Sequence, residues 1–219
     1  MELSQIQAYL ADPESPQRLK AITELKNYEA EVAVPLLLSQ MREKDFLIRS
    51  LVAMGLGKKR TEESFAALLQ MMKFDRDPNV RAEAANSLSM FGSLTVPHLV
   101  AAFYQDDSWL VRRSILAALI EFNSPNELFE VCSCGVNGED LSVQEASVEG
   151  FGLLCGTPKQ EEALSQLLLK VKDPSWRIRA KVAKALSRFS SPQVQAALQE
   201  LKQDEDYRVV SSVLEQSVE

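Results

Sequence analysis

Apolar residues recur in this chain with two superimposed periods. The short one is helical. Ile48, Ala53 and Leu56 fall on one stripe of an α-helix, and so do Val80, Ala85, Leu88 and Phe91, and again Ile178, Ala183, Leu186 and Phe189. The long one is a repeat. A register residue, usually arginine and in all units but the first preceded by the first apolar residue of the stripe, recurs as Arg18, Arg49, Arg81, Arg112, Gln144, Arg179 and Val210, at steps of 31, 32, 31, 32, 35 and 31 residues. Seven such units, roughly 1–30, 31–60, 61–93, 94–123, 124–156, 157–190 and 191–219, fill the chain. Each predicts a second, B helix starting near the register residue and a preceding, A helix, as at Val34–Met41 and Val96–Phe103. No unit can bury its stripe alone, so neighbours must stack.

The polar residues punctuate the same pattern. Asp12, Asp45, Asp77, Asp106, Asp140, Asp173 and Asp204 precede the B helices, where a carboxylate caps free amides and meets the positive helix end. Phe46, Trp109, Trp176 and Tyr207 form an aromatic column three residues before the register residue, where a hydrophobic staple against the following helix is expected. Pro35 and Pro97 are expected in the first turns of their A helices.

The stretch Asp77-Pro78-Asn79-Val80-Arg81, followed by Ala84-Ala85 and Leu88, resembles a HEAT repeat. The short period of about 31 residues resembles the phycobilisome-lyase HEAT-like group, and the resemblance covers the whole chain. It implies a right-handed α-solenoid of about seven two-helix repeats, a single domain over 1–219, with B helices lining the concave face. It also implies a ladder of caps and salt bridges, with Asp77 set against Arg81 and Asp173 against Arg179, from which Gln144 departs. In function it implies a cyanobacterial, cytoplasmic protein that grips a phycobiliprotein or its linear tetrapyrrole. The favoured form is an interaction scaffold in antenna assembly or degradation. The alternative is a bilin lyase or bilin-detaching subunit working with a second HEAT-repeat chain. No lyase-specific motif is matched.

Composition narrows the field. With 46% apolar and 25% charged residues the chain suits a folded protein. Its net charge of −7 argues against a general affinity for nucleic acid. The longest apolar run, Val32–Leu38, is far shorter than the about 20 residues a membrane span needs, and no basic-then-apolar leader opens the sequence. Three cysteines, Cys132, Cys134 and Cys155, suit reduced thiols in a cytosol-like compartment. The spacing of Cys132 and Cys134 is not that of a zinc site, so no metal and no catalytic residue is expected. A single histidine, His98, cannot supply the several His-Glu pairs of an iron hydroxylase of this fold.

Two features stand out as candidate sites. Ser114–Pro158 holds no Lys or Arg but holds Glu121, Glu127, Glu130, Glu139, Asp140, Glu145 and Glu149. Lys170–Arg188 reverses this, and Arg177, Lys181, Lys184 and Arg188 share one helix face. That stripe is either a solvated face or a seat for carboxylates, from bilin propionates or an acidic partner. The second feature is Cys132–Asp140, where Gly135, Asn137 and Gly138 suggest an irregular loop open to partner contacts.

Overall fold

Fourteen α-helices in seven antiparallel pairs make up the residues that the computed structural model describes, Met1–Glu215. No strand occurs among them. In chain order the pairs are α1 (Leu3–Leu10) with α2 (Ser15–Glu24), α3 (Ala30–Ser39) with α4 (Phe46–Lys59), α5 (Glu62–Phe74) with α6 (Pro78–Ser89), α7 (Val96–Gln105) with α8 (Trp109–Ile120), α9 (Pro125–Gly135) with α10 (Leu141–Leu153), α11 (Gln160–Leu169) with α12 (Trp176–Leu186), and α13 (Pro192–Leu201) with α14 (Tyr207–Glu215). Odd-numbered helices are A helices and even-numbered ones B helices, one pair per repeat. The fold is an all-α solenoid type. Its contacts divide into two compact units, Met1–Phe122 with α1–α8, and a second from Asn123 onward with α9–α14.

Within each unit the core is built by B helices packing side by side on one another and on their own A helices: α2–α4–α6–α8 in the first, α10–α12–α14 in the second. The repeat columns explain why. Ile48, Val80, Val111, Val143, Ile178 and Val209, one before each register residue, are buried, as are Leu25, Leu56, Leu88, Leu119, Phe151 and Leu186, seven after it. Small residues let neighbours approach. A Cβ on Gly57 would stand 2.8 Å from the Ser87 Cβ and 3.1 Å from its Cα. A Cβ on Gly152 would stand 3.0 Å from the Ala185 Cβ. Both glycines lie eight residues after a register residue, facing the position six after the next one. Glycine is an unfavourable helix residue, and here close backbone approach accounts for it.

The register residue has one recurrent task. Its side chain donates to the main-chain carbonyl six residues earlier: Arg49 to Glu43 (2.7 Å), Arg81 to Asp75 (3.0 Å), Arg112 to Asp106 (2.7 Å), Arg179 to Asp173 (2.8 Å), and Arg18 to Asp12. Gln144 does the same to Gly138 (2.6 Å). Each bond closes the turn between A and B helices and satisfies a carbonyl that the turn would otherwise strand. The arginines then use their second edge on the next repeat: Arg49 on Asp75 (2.7 and 2.9 Å), Arg81 on Asp106 (2.6 and 3.1 Å), Arg179 on Asp204 (2.7 and 2.9 Å). The ladder therefore runs forward to the following repeat's aspartate. The expected partners, Asp77 for Arg81 and Asp173 for Arg179, are corrected by this geometry: Asp77 caps α6 through the Asn79 amide (2.9 Å), and Asp173 offers Arg179 only its carbonyl. Gln144 keeps the turn bond and, uncharged, has no guanidinium for the rung.

Three local expectations also change. Pro35 lies six residues into α3, inside the helix, where its ring removes a main-chain bond to Glu31; Pro97 sits in the first turn of α7 as expected. The aromatic column does not staple the helix ends shut: Phe46 is 38%, Trp109 48% and Tyr207 77% exposed, because the B-helix start lies at the edge of the stack. The Cys132–Asp140 segment is regular rather than an open loop, since α9 continues through a buried Gly135 and a short turn follows. The longer step before Arg179 is taken up after α10, around Gly156, which adopts φ +78.

Arg60, which caps the end of α4 with φ 52, is the one non-glycine residue in the left-handed region among the described residues. A Cβ is costly there, and glycine is the usual solution. Arg60→Gly is expected to raise stability by about 1 kcal/mol in urea unfolding; an unchanged or lower midpoint would contradict the account.

Candidate functional site

The cationic stripe begins with α12. Ile178, Val182, Ala185 and Leu186 turn one face of this helix into the core, which leaves Arg177, Lys181 and Lys184 on the other. Arg188 follows in the turn after the helix. The structure pairs half of this stripe internally. Arg177 binds Glu145 (Nη2–Oε2 3.0 Å), and Lys181 binds Glu149 (3.1 Å). Glu145 and Glu149 stand four apart on α10, so the two carboxylates face α12 in register with its cations. Such half-exposed pairs contribute little stability, about 0.2–1 kcal/mol each. Their effect is positional: they hold Arg177 and Lys181 against α10.

Lys184 and Arg188 are different. Both are exposed and make no ion pair among the described residues. With Glu149, Lys181 and Ala185 they line a shallow recess. Arg188 lies over Gly152, and its carbonyl accepts a hydrogen bond from the Cys155 thiol (2.8 Å). At the far end of the stripe the Arg208 guanidinium stacks on Trp176, 3.4 Å from the ring centre, which explains why that member of the aromatic column is only half-exposed.

The other candidates do not join this group. Cys132 is fully buried under Gly150, and burial pushes its thiol well above the usual range. Cys134 is exposed and Cys155 half-buried, so the three thiols occupy three environments. His98 is exposed on α7, in the other unit, with its ring edge-on to Phe65 (5.8 Å between centres). Among Gly135, Asn137 and Gly138 only Asn137 is exposed, and its amide donates to the Ser133 carbonyl (3.0 Å). No three His, Cys, Asp or Glu side chains among the described residues converge as metal ligands. No described helix is long and apolar enough to cross a membrane.

Charge segregation between residues 114–158 and 170–188 is visible in the sequence, but the internal pairing is not read from it. The signal is there. Glu145 to Arg177 and Glu149 to Lys181 are each 32 residues apart, close to one repeat, so charges aligned by repeat would have shown the match.

The pattern of HEAT repeats matches residues 34–120 and 133–219. The chain belongs to the HEAT-repeat family. Solved structures repeat its backbone. A chain in the complex of CpcE and CpcF of phycocyanin lyase from a Nostoc species is 17% identical, with a TM-score of 0.56 and 99% of this chain covering 95% of that one. Kap95p, solved with RanGDP, is 15% identical with a TM-score of 0.70, this HEAT-repeat chain covering 36% of it. Kap121p is 14% identical with a TM-score of 0.67 over 26% of its length. At these identities the likeness is one of fold. No protein of described function matches the sequence significantly.

Proposed function

We propose that this HEAT-repeat protein is an interaction scaffold that binds a phycobiliprotein or another photosynthetic antenna component, with Lys184 and Arg188 as the anchoring pair. The carrying observation is the half-paired stripe. Arg177 and Lys181 are held by Glu145 and Glu149, while the next two cations are exposed and uncompensated beside them. Such a pair accepts carboxylates without first breaking an internal bridge, and a partner is thereby oriented as well as held. An acidic protein surface supplies those carboxylates; the propionates of a linear tetrapyrrole are a smaller occupant of the same chemistry. The antenna partner is supported by the end-to-end backbone likeness to the CpcE–CpcF complex of phycocyanin lyase. That complex has two chains, which supports a second HEAT-repeat subunit here.

The test is co-elution of the purified protein with phycocyanin and with its apo-subunits on a sizing column, with the visible spectrum recorded. We expect a complex that is lost in Lys184→Glu/Arg188→Glu and retained in Glu145→Gln. Retention by the double variant would remove the site. Absence of any complex at micromolar concentration would remove the partner. A change in the bilin spectrum on mixing would turn the reading toward the lyase or bilin-detaching subunit.

A further inference from the structure

A second recess lies in the Met1–Phe122 unit, remote in sequence from the α12 stripe. The ends of α3 and α5 and the turns that follow them enclose about 630 Å³. Leu38, Met41, Met71 and Phe74 supply its apolar part, and Arg42, Lys44 and Arg76 stand among them. Phe74 is 70% exposed, more than any other aromatic side chain of this unit. A side chain of that size in water at the mouth of a recess is a contact surface in waiting.

The charges are unbalanced in a telling way. Two carboxylates line the recess: Asp75 is hydrogen-bonded to the buried Arg49, and Glu43 makes a long ion pair with Arg18 (3.8 Å). Arg49 is spent on Asp75 and on two carbonyls. Arg42 and Lys44 are exposed and make no ion pair among the described residues. Arg76 is exposed too; its hydrogen bond goes to the Lys44 carbonyl (3.0 Å), and its charge acts on Asp75 without a direct ion pair. Three exposed cations around an apolar floor, two of them without any ion pair among the described residues, on a protein of net charge −7, make a local exception that fits one kind of ligand.

We propose that this recess binds a short acidic peptide segment carrying an apolar side chain. The apolar side chain seats against Met41, Met71 and Phe74, and the flanking carboxylates meet Arg42, Lys44 and Arg76. Guanidinium groups suit this task because their planar edge takes a carboxylate in two bonds. A nucleic acid is the less suitable polyanion. Asp45 and Asp77, near enough to act on Arg49, lie beside the recess, and a phosphate backbone running past it would meet them, whereas a peptide presents its few charges locally. This inference does not depend on the partner proposed above.

The test is fluorescence anisotropy with a labelled Glu-Asp-Leu-Phe-Asp-Glu peptide. Glu-Asp-Gly-Gly-Asp-Glu, Lys-Lys-Leu-Phe-Lys-Lys and a labelled oligothymidine serve as controls. We expect saturable binding of the first peptide alone, weakened about tenfold or more by Phe74→Ala and by Arg42→Glu/Arg76→Glu, and unchanged by Lys184→Glu/Arg188→Glu. All these side chains are exposed, so the variants should fold, and circular dichroism checks that they do. The proposal is overturned by no saturable binding up to millimolar peptide, by equal binding in the Phe74 and arginine variants, or by tighter binding of oligothymidine than of the peptide.

Discussion

Arg49→Ala is expected to lower the stability of the Met1–Phe122 unit by about 3 kcal/mol or more. The Arg49 side chain is 4% and that of Asp75 8% exposed, and two hydrogen bonds join them. Removing the arginine strands a desolvated carboxylate and the carbonyl of Glu43 together, and leaves the Lys44 carbonyl to Arg76 alone. Urea unfolding followed by Trp109 in a Trp176→Phe background reads this unit by itself, because each unit holds one tryptophan. A loss under about 1 kcal/mol would mean that the rung is ornamental.

The same variant predicts a pH signature. Burial pushes the Asp75 carboxyl up, but the Arg49 bond and charge, with the Asp77 amide, outweigh it and hold it below its ordinary value. A depressed carboxylate stabilises the fold above its unfolded pKa of about 3.9, and that contribution disappears as pH falls through the lower folded value. In Arg49→Ala the depression is gone. The stability gap between wild type and variant should therefore be full near neutrality and shrink as pH falls from the variant's folded carboxyl pKa to the lower wild-type one. A gap that stays constant into acid would show that packing, not charge, set it.

Gly57→Val should cost about 3 kcal/mol through a different route. Alanine at this position gains helix propensity and loses packing space, so its effect is a difference of two terms of similar size. Valine leaves no such balance: its methyls enter the Ser87 backbone, 3.1 Å from where even a Cβ would stand. Gly152→Val tests the equivalent crossing against Ala185 in the other unit. If both variants melt within a degree of wild type, the close crossing of B helices is not what holds neighbouring repeats together.

The B-helix core was readable from sequence because each repeat presents the same environment, so one stripe, averaged over seven copies, names its buried positions. Features that differ among copies were not readable. Pro35 and Pro97 stand within one residue of the same register position, yet α3 starts earlier than α7 and encloses its proline. The forward reach of the arginines is hidden because the repeats that receive it each offer two aspartates (Asp75 and Asp77, Asp106 and Asp107, Asp204 and Asp206), and only geometry chooses between Asp75 and Asp77 for Arg49. The aromatic column repeats as faithfully as the core, but periodicity reports an equivalent place, not a buried one; Trp109 and Tyr207 occupy equivalent places at the rim. At the candidate site, the four cations were found by charge counting, while the division between tethered Arg177 and Lys181 and untethered Lys184 and Arg188 needed the neighbouring helix.

The turn bond from each register residue to the carbonyl six positions before it fixes where this chain can change length. That interval is the same in six repeats, although the repeats themselves run from 31 to 35 residues. All the slack has accumulated outside it, most visibly in Leu154–Lys159 between α10 and α11. The A-to-B turn thus behaves as a fixed stitch and the B-to-A turn as the hem that is let out. Grafted tags or binding loops belong in the hem; one residue added between Asp75 and Arg81 would cut the stitch.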